Sequence, residues 1–147
     1  MKEIAYYNDI IYGLEKVLYY ERGKGSCFRV TLVGTEFIKP KKISGNTVDE
    51  VIDKCIKALI DGEIFQDATY AKDEKGLLFT FKIKGCTHLP VEAGLKEGGM
   101  PPYMCAPINM ILYKIAEILH LAVEIVDINV DENNGECMVR MVVFAAD

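Results

Sequence analysis

The stretch Leu77-Leu78-Phe79-Thr80-Phe81-Lys82-Ile83-Lys84 decides the fold. Leu77, Phe79, Phe81 and Ile83 alternate with Thr80, Lys82 and Lys84, so a period of two puts apolar side chains on one face and lysines on the other. One buried face and one wet face mark an antiparallel sheet. Just upstream, 63–71 reads as the partner strand, joined through the turn Asp73-Glu74-Lys75-Gly76. Further on, 122–130 and 136–145 read as a second hairpin, with Asn134-Gly135 in its tight turn. The segment 26–38, rich in Phe, Val and Thr, reads as one more strand, bent at Gly34 and ended by Pro40.

Helical periodicity surrounds these strands. Over 3–20, Ile4, Tyr7, Ile11, Leu14 and Leu18 recur every three or four residues, and Tyr6, Ile10 and Tyr19 widen that stripe. So wide an apolar stripe suits a helix that faces both a core and a partner. Gly23 and Gly25 stop it. Thr47 opens a helix over 47–60, with Glu50 completing a capping box and Val48, Val51, Ile52, Cys55 and Leu59 as its apolar face. Pro107 suits a first helical position, and Ile108, Ile111, Leu112, Ile115, Ile118 and Leu119 carry that helix to His120. Between lies 85–106, dense in Gly, Pro and Met, which reads as a long functional loop around a short helix over 90–96. The expected architecture is a single α+β domain over 1–147: an antiparallel sheet of four to five strands flanked by helices.

Composition narrows the function. The chain has 147 residues and a net charge of −5, and its one basic cluster, 39–42, is interrupted by Pro40. Phosphate backbones need clustered Lys and Arg, so nucleic acid is not the expected partner. The N-terminus carries acid early and no apolar core, and no apolar run approaches the ~20 residues that span a bilayer. A cytoplasmic setting is therefore expected. There five cysteines, an odd number, would stay reduced, acting as small hydrophobes or as metal and redox groups.

Three of the five sit at element junctions. Cys86 ends a strand, with His88 two residues on; Cys105 precedes a helix; Cys137 starts a strand. Thiolate and imidazole suit zinc, which takes four ligands in a tetrahedron, and Cys86, His88, Cys105 and Cys137 make four. Equally, Cys105 and Cys137 read as buried small residues and His88 as a loop residue. Cys27 and Cys55, with apolar neighbours, read as core.

The order Lys84-Gly85-Cys86-Thr87-His88-Leu89-Pro90, Met104-Cys105-Ala106-Pro107, Asn134-Gly135-Glu136-Cys137-Met138-Val139 resembles the 4-vinyl-reductase domain family, small-molecule-binding domains of hydrocarbon-binding proteins and aromatic-compound sensors. The resemblance spans 84–144. It implies a commonly dimeric α+β domain whose cysteines hold a metal, usually zinc, beside an apolar ligand cavity. The chain departs from the pattern at Asn129, where the family often has a further Cys, and at Thr87, where it has Pro. His88 would then supply the fourth zinc position.

Other residues divide between roles. Tyr6, Tyr7, Tyr12, Tyr19 and Tyr20 read as a pocket wall or dimer face, or as ordinary core and rim. Tyr7, Met100, Met104 and Met110 are the candidates for lining a ligand pocket, adaptable Met being the alternative to gap-filling. His120 reads as a helix C-terminal cap, and Glu92 as a surface carboxylate rather than a base or ligand. The expected function is to hold an apolar or hydrocarbon-like small molecule, with or without a structural zinc beside it, in a homodimer, with no catalytic residue assigned. The competing expectations are an enzyme using Cys86 or Cys105 as nucleophile with His88 as base, and a structural subunit of a larger assembly.

Overall fold

The computed structural model describes residues 2–22 and 30–146. Four strands, β1 (Asp67–Lys72), β2 (Leu78–Lys84), β3 (Leu121–Asp131) and β4 (Glu136–Ala145), form one antiparallel sheet in the order β1-β2-β4-β3. The α+β expectation holds, with four strands. β2 lies inside the sheet, and its alternation behaves as read from Phe79 onward: Phe79, Phe81 and Ile83 are buried while Lys82 and Lys84 are exposed, but Leu77, read on the same face, precedes the strand and is exposed. β4 adds Cys137, Val139, Met141 and Val143 to the same buried face. The opposite face is wet, and Arg140 of β4 pairs there with Asp127 of β3.

α3 (Val48–Asp61) and α5 (Ala106–Leu119) pack on each other over the buried face, joining one core with the sheet. Thr47 caps α3 by accepting the Glu50 N–H at 3.2 Å. The returning Glu50 carboxylate accepts from the Asn46 N–H instead of that of Thr47, a capping box displaced by one residue. Tyr70 of β1 hydrogen-bonds Asp49 and Asp53 of α3 and stacks against Phe79 and Phe81, fixing helix to sheet. Cys55 is fully buried in this core, as expected.

The strand expected over 26–38 is not formed where the structure describes it. Residues 26–29, with Cys27, lie outside the described residues; 30–38 makes a 3₁₀ turn (Val30–Leu32) and a short helix, α2 (Thr35–Ile38). The reason is tertiary. The Val33 carbonyl accepts from the Asn109 side chain of α5 at 3.1 Å, and the Leu32 carbonyl from the Thr35 hydroxyl at 2.8 Å. Gly34 sits at φ +92° so close to α5 that a Cβ would stand 2.9 Å from that of Ala106. Alternating composition is overridden because the segment's hydrogen-bond partners are α5 and its own turn, not a neighbouring strand.

α1 (Lys2–Arg22) is the expected helix, but rotated. It meets the rest of the molecule chiefly through α4 (Leu89–Glu97). Asn8 and Glu15 are buried, whereas Tyr7 and Leu14, read on one stripe with Ile11 and Leu18, are 62% and 65% exposed. Inward contacts come from Asn8, whose amide donates to the Thr87 carbonyl at 2.9 Å, and from Tyr12, whose ring lies against Gly94. Met100, Tyr103 and Met104 pack with Leu95 against Tyr12, Leu18 and Tyr19, and the Tyr103 hydroxyl donates to the Glu15 carbonyl at 2.6 Å. The segment read as a long loop around a short helix has that helix in α4, and its remainder, after a Gly99 turn at φ +79°, packs against α1.

A candidate thiol and carboxyl pocket

The end of β2, the start of β4, the N-terminus of α5 and α4 meet around a cavity of about 90 Å³. That is several times the roughly 10–15 Å³ that admits one water. Its position follows from local chemistry. Gly85, at φ +64°, turns the chain out of β2 and donates its N–H to the Gly135 carbonyl, tying the two hairpins at one end. A side chain there would run into Gln66. Cys86 follows at once, and Cys137 stands opposite Ile83 in the β2–β4 register. Thr87 anchors the turn by donating both its N–H and its hydroxyl to the Ile64 carbonyl. His88 then takes the N-cap position of α4, and Cys105 that of α5, neither capping through its side chain.

Cys86, His88, Cys105 and Cys137, the four residues chosen from sequence as metal ligands, all line this one cavity. Met104 lines it too. The other pocket candidates stand elsewhere: Tyr7 is exposed on α1, Met100 packs in the small cluster beneath it, and Met110 lies in the main core near Gly34. His120 ends α5 at φ +57°, its N–H donating to the Ala116 carbonyl, which is the cap expected of it.

Two further lining residues depart from the sequence reading: Glu15 was not singled out, and Glu92, read as a surface carboxylate, is buried. Glu15 of α1 and Glu92 of α4 face the cavity at 3% and 7% exposure. Both Glu15 carboxyl oxygens and Glu92 Oε2 are buried without a hydrogen-bond partner among the described residues. Their signal was position. Glu15 falls four after Ile11 and three before Leu18, and Glu92 sits beside Val91 and three before Leu95, so each acid interrupts a helical apolar stripe.

Burial governs the electrostatics. It pushes Glu92 up to about 9, helped by the neighbouring Glu15 charge, and Glu15 up to about 7. Burial raises the thiols as well, Cys86 to about 11 and Cys137 to about 12, with Cys105 also well above its usual range. His88 is lowered for the same reason. Without a bound cation, burial therefore favours the uncharged forms of the thiols, the two carboxyls and the imidazole. This is the wrong direction for a thiolate nucleophile, which needs a depressed pKa. It is the right chemistry for a cation, whose charge reverses the penalty and deprotonates a coordinating thiol. Among the described residues no group of three or more Cys, His, Asp or Glu side chains stands ready to hold a metal ion, so coordination would draw these donors together. No helix among the described residues is long and apolar enough to cross a membrane.

No protein-family model matches this chain, and neither does any curated protein.

Proposed function

We propose that this chain is a small-molecule-binding domain whose pocket holds an apolar ligand, with Cys86, His88, Cys105 and Cys137 as the donors for a zinc ion. The observation that carries the reading is the convergence of four donors, drawn from three separate stretches of sequence, on one cavity whose remaining walls are largely apolar, among them Ile83 and Ile128. Binding sites commonly combine such walls with a few convergent polar groups. Bound zinc would neutralise the thiolates and fasten the 85–106 segment to the sheet; Cys86, His88 and Cys105 lie on that segment and Cys137 on β4. Zinc content of the purified protein, with native mass spectrometry for a retained small molecule, tests both halves. Cys137→Ser is expected to weaken zinc binding by more than the ~10–100-fold typical of losing a mere outer-shell partner. Unchanged zinc occupancy in that variant would remove the metal from the proposal.

The chain is further proposed to act as a homodimer. Tyr7, Ile10, Leu14 and Val17 are all exposed on the outer side of α1 at spacings of three, four and three, the seam of a two-helix pair. Sedimentation at tens of micromolar is expected to show twice the 16.5 kDa chain mass, and Leu14→Glu to return it to monomer.

A further inference from the structure

We propose that the ligand of this pocket carries a protonated amine, seated between Glu15 and Glu92 with its apolar body against the cavity wall. This rests on the small-molecule reading above and names the class of molecule.

Glu15 of α1 and Glu92 of α4 line the same cavity as Cys86, Cys105 and Cys137, and the Glu15 charge acts on Glu92. Both Glu15 carboxyl oxygens are buried. Yet those two oxygens and Glu92 Oε2 are the buried side-chain acceptors left without partners among the described residues. Three orphaned acceptors on adjoining carboxylates match the three N–H donors of a primary ammonium.

Among the described residues no protein cation competes for the place. Among the described residues, no Lys or Arg lines the cavity. Lys96, on the same helix as Glu92, is turned to the Val130 carbonyl at 3.1 Å, and the buried Lys114 to the Lys39 carbonyl and Glu117. Burying two carboxylates side by side is costly unless each is paired. A cationic ligand supplies the pairing that the described residues do not. The walls suit the rest of such a molecule, since Ile11, Val33, Val91 and Ile128 line the cavity with carbon. The cavity of about 90 Å³ limits the ligand to a short chain.

Calorimetric titration of the full chain, in chelator, with propylammonium and with propan-1-ol as its neutral counterpart tests this. The amine is expected to bind at least ~10-fold more tightly than the alcohol, the effect of a single hydrogen bond to a charged group. Glu15→Gln and Glu92→Gln should each abolish that preference, while Glu21→Gln, on the exposed part of α1, should leave it intact. Equal affinity for amine and alcohol overturns the amine and leaves the small-molecule reading standing. Failure of both to bind overturns the two together. Zinc titrated alone supplies the remaining arm: zinc affinity that falls in Glu15→Gln, with no amine preference in the parent protein, would assign Glu15 to the metal and overturn the proposal. The amine-to-alcohol comparison on the unmodified chain decides the matter even if a variant fails to fold.

Discussion

Stripped of bound ions, the protein is expected to lose stability as the pH rises from about 5 to about 9. Glu92 and Glu15 titrate near 9 and 7 in the fold against 4.5 for the free side chain. Between those values the unfolded chain has released its protons and the folded chain still binds them, so stability falls with pH. The stability associated with these protonated carboxyls is fully present below about 4.5 and is lost as pH climbs through the folded pKa. At about 1.4 kcal/mol per unit, Glu92 alone costs several kcal/mol, a large part of the roughly 5–15 kcal/mol that holds a domain together. His88 acts in the opposite direction on the acid side. Its pKa is lowered from 6.5, so its contribution is present above that value and fades as the unfolded imidazole takes up a proton below it. The stability maximum should therefore fall on the acidic side of neutrality. Urea midpoints at pH 5.5, 7 and 9 check this, and Glu92→Gln should flatten most of the decline. A level profile in the parent protein would mean that these carboxyls are not buried as described. Saturating zinc or an ammonium ligand should restore the midpoint at high pH, because either stabilises the ionised forms.

The second large effect belongs to the sheet. Phe81 is fully buried at the middle of β2, pairing Tyr70 on β1 on one side and Val139 on β4 on the other, with its ring 5.6 Å from that of Tyr70. Phe81→Ala is expected to cost about 3–5 kcal/mol, the transfer energy of the ring plus the cavity it leaves. The denaturation midpoint should fall with little change in slope, since the surface exposed on unfolding is nearly the same. A loss under ~1 kcal/mol would show that α3 and α5 collapse into the gap, contrary to the close packing of the core. Ile83, two residues along β2, lines the pocket, so the same variant should also loosen ligand and metal binding through the strand that leads into Cys86.

Local pattern was sufficient where one neighbour decided the outcome. The alternation of 77–84, the Thr47 cap, the stripe from Ile108 to Leu119 and the Asn134-Gly135 turn each express a rule that acts over a few residues, and each element formed within a residue or two of its expected place. The junction positions of Cys86, Cys105 and Cys137 were equally legible, and strand and helix ends on one side of a sheet do converge.

Where a distant element held the deciding partner, the pattern misled. Residues 30–38 carry strand-forming side chains but give their carbonyls to Asn109 of α5 and to their own turn. The stripe of α1 admits two rotations. Only docking on α4, with Asn8 bonded to Thr87 and Glu15 turned inward, selected the one that leaves Tyr7 and Leu14 outside. Glu92 looks in sequence like any surface glutamate. The amino-acid sequence by itself therefore determined the sheet, the main helices and the placing of Cys86, His88, Cys105 and Cys137 at the ends of elements. Tertiary structure alone decided that two acids from separate helices share a buried pocket with those four residues, because burial is a property of the packed helices around a side chain and not of its neighbours along the chain.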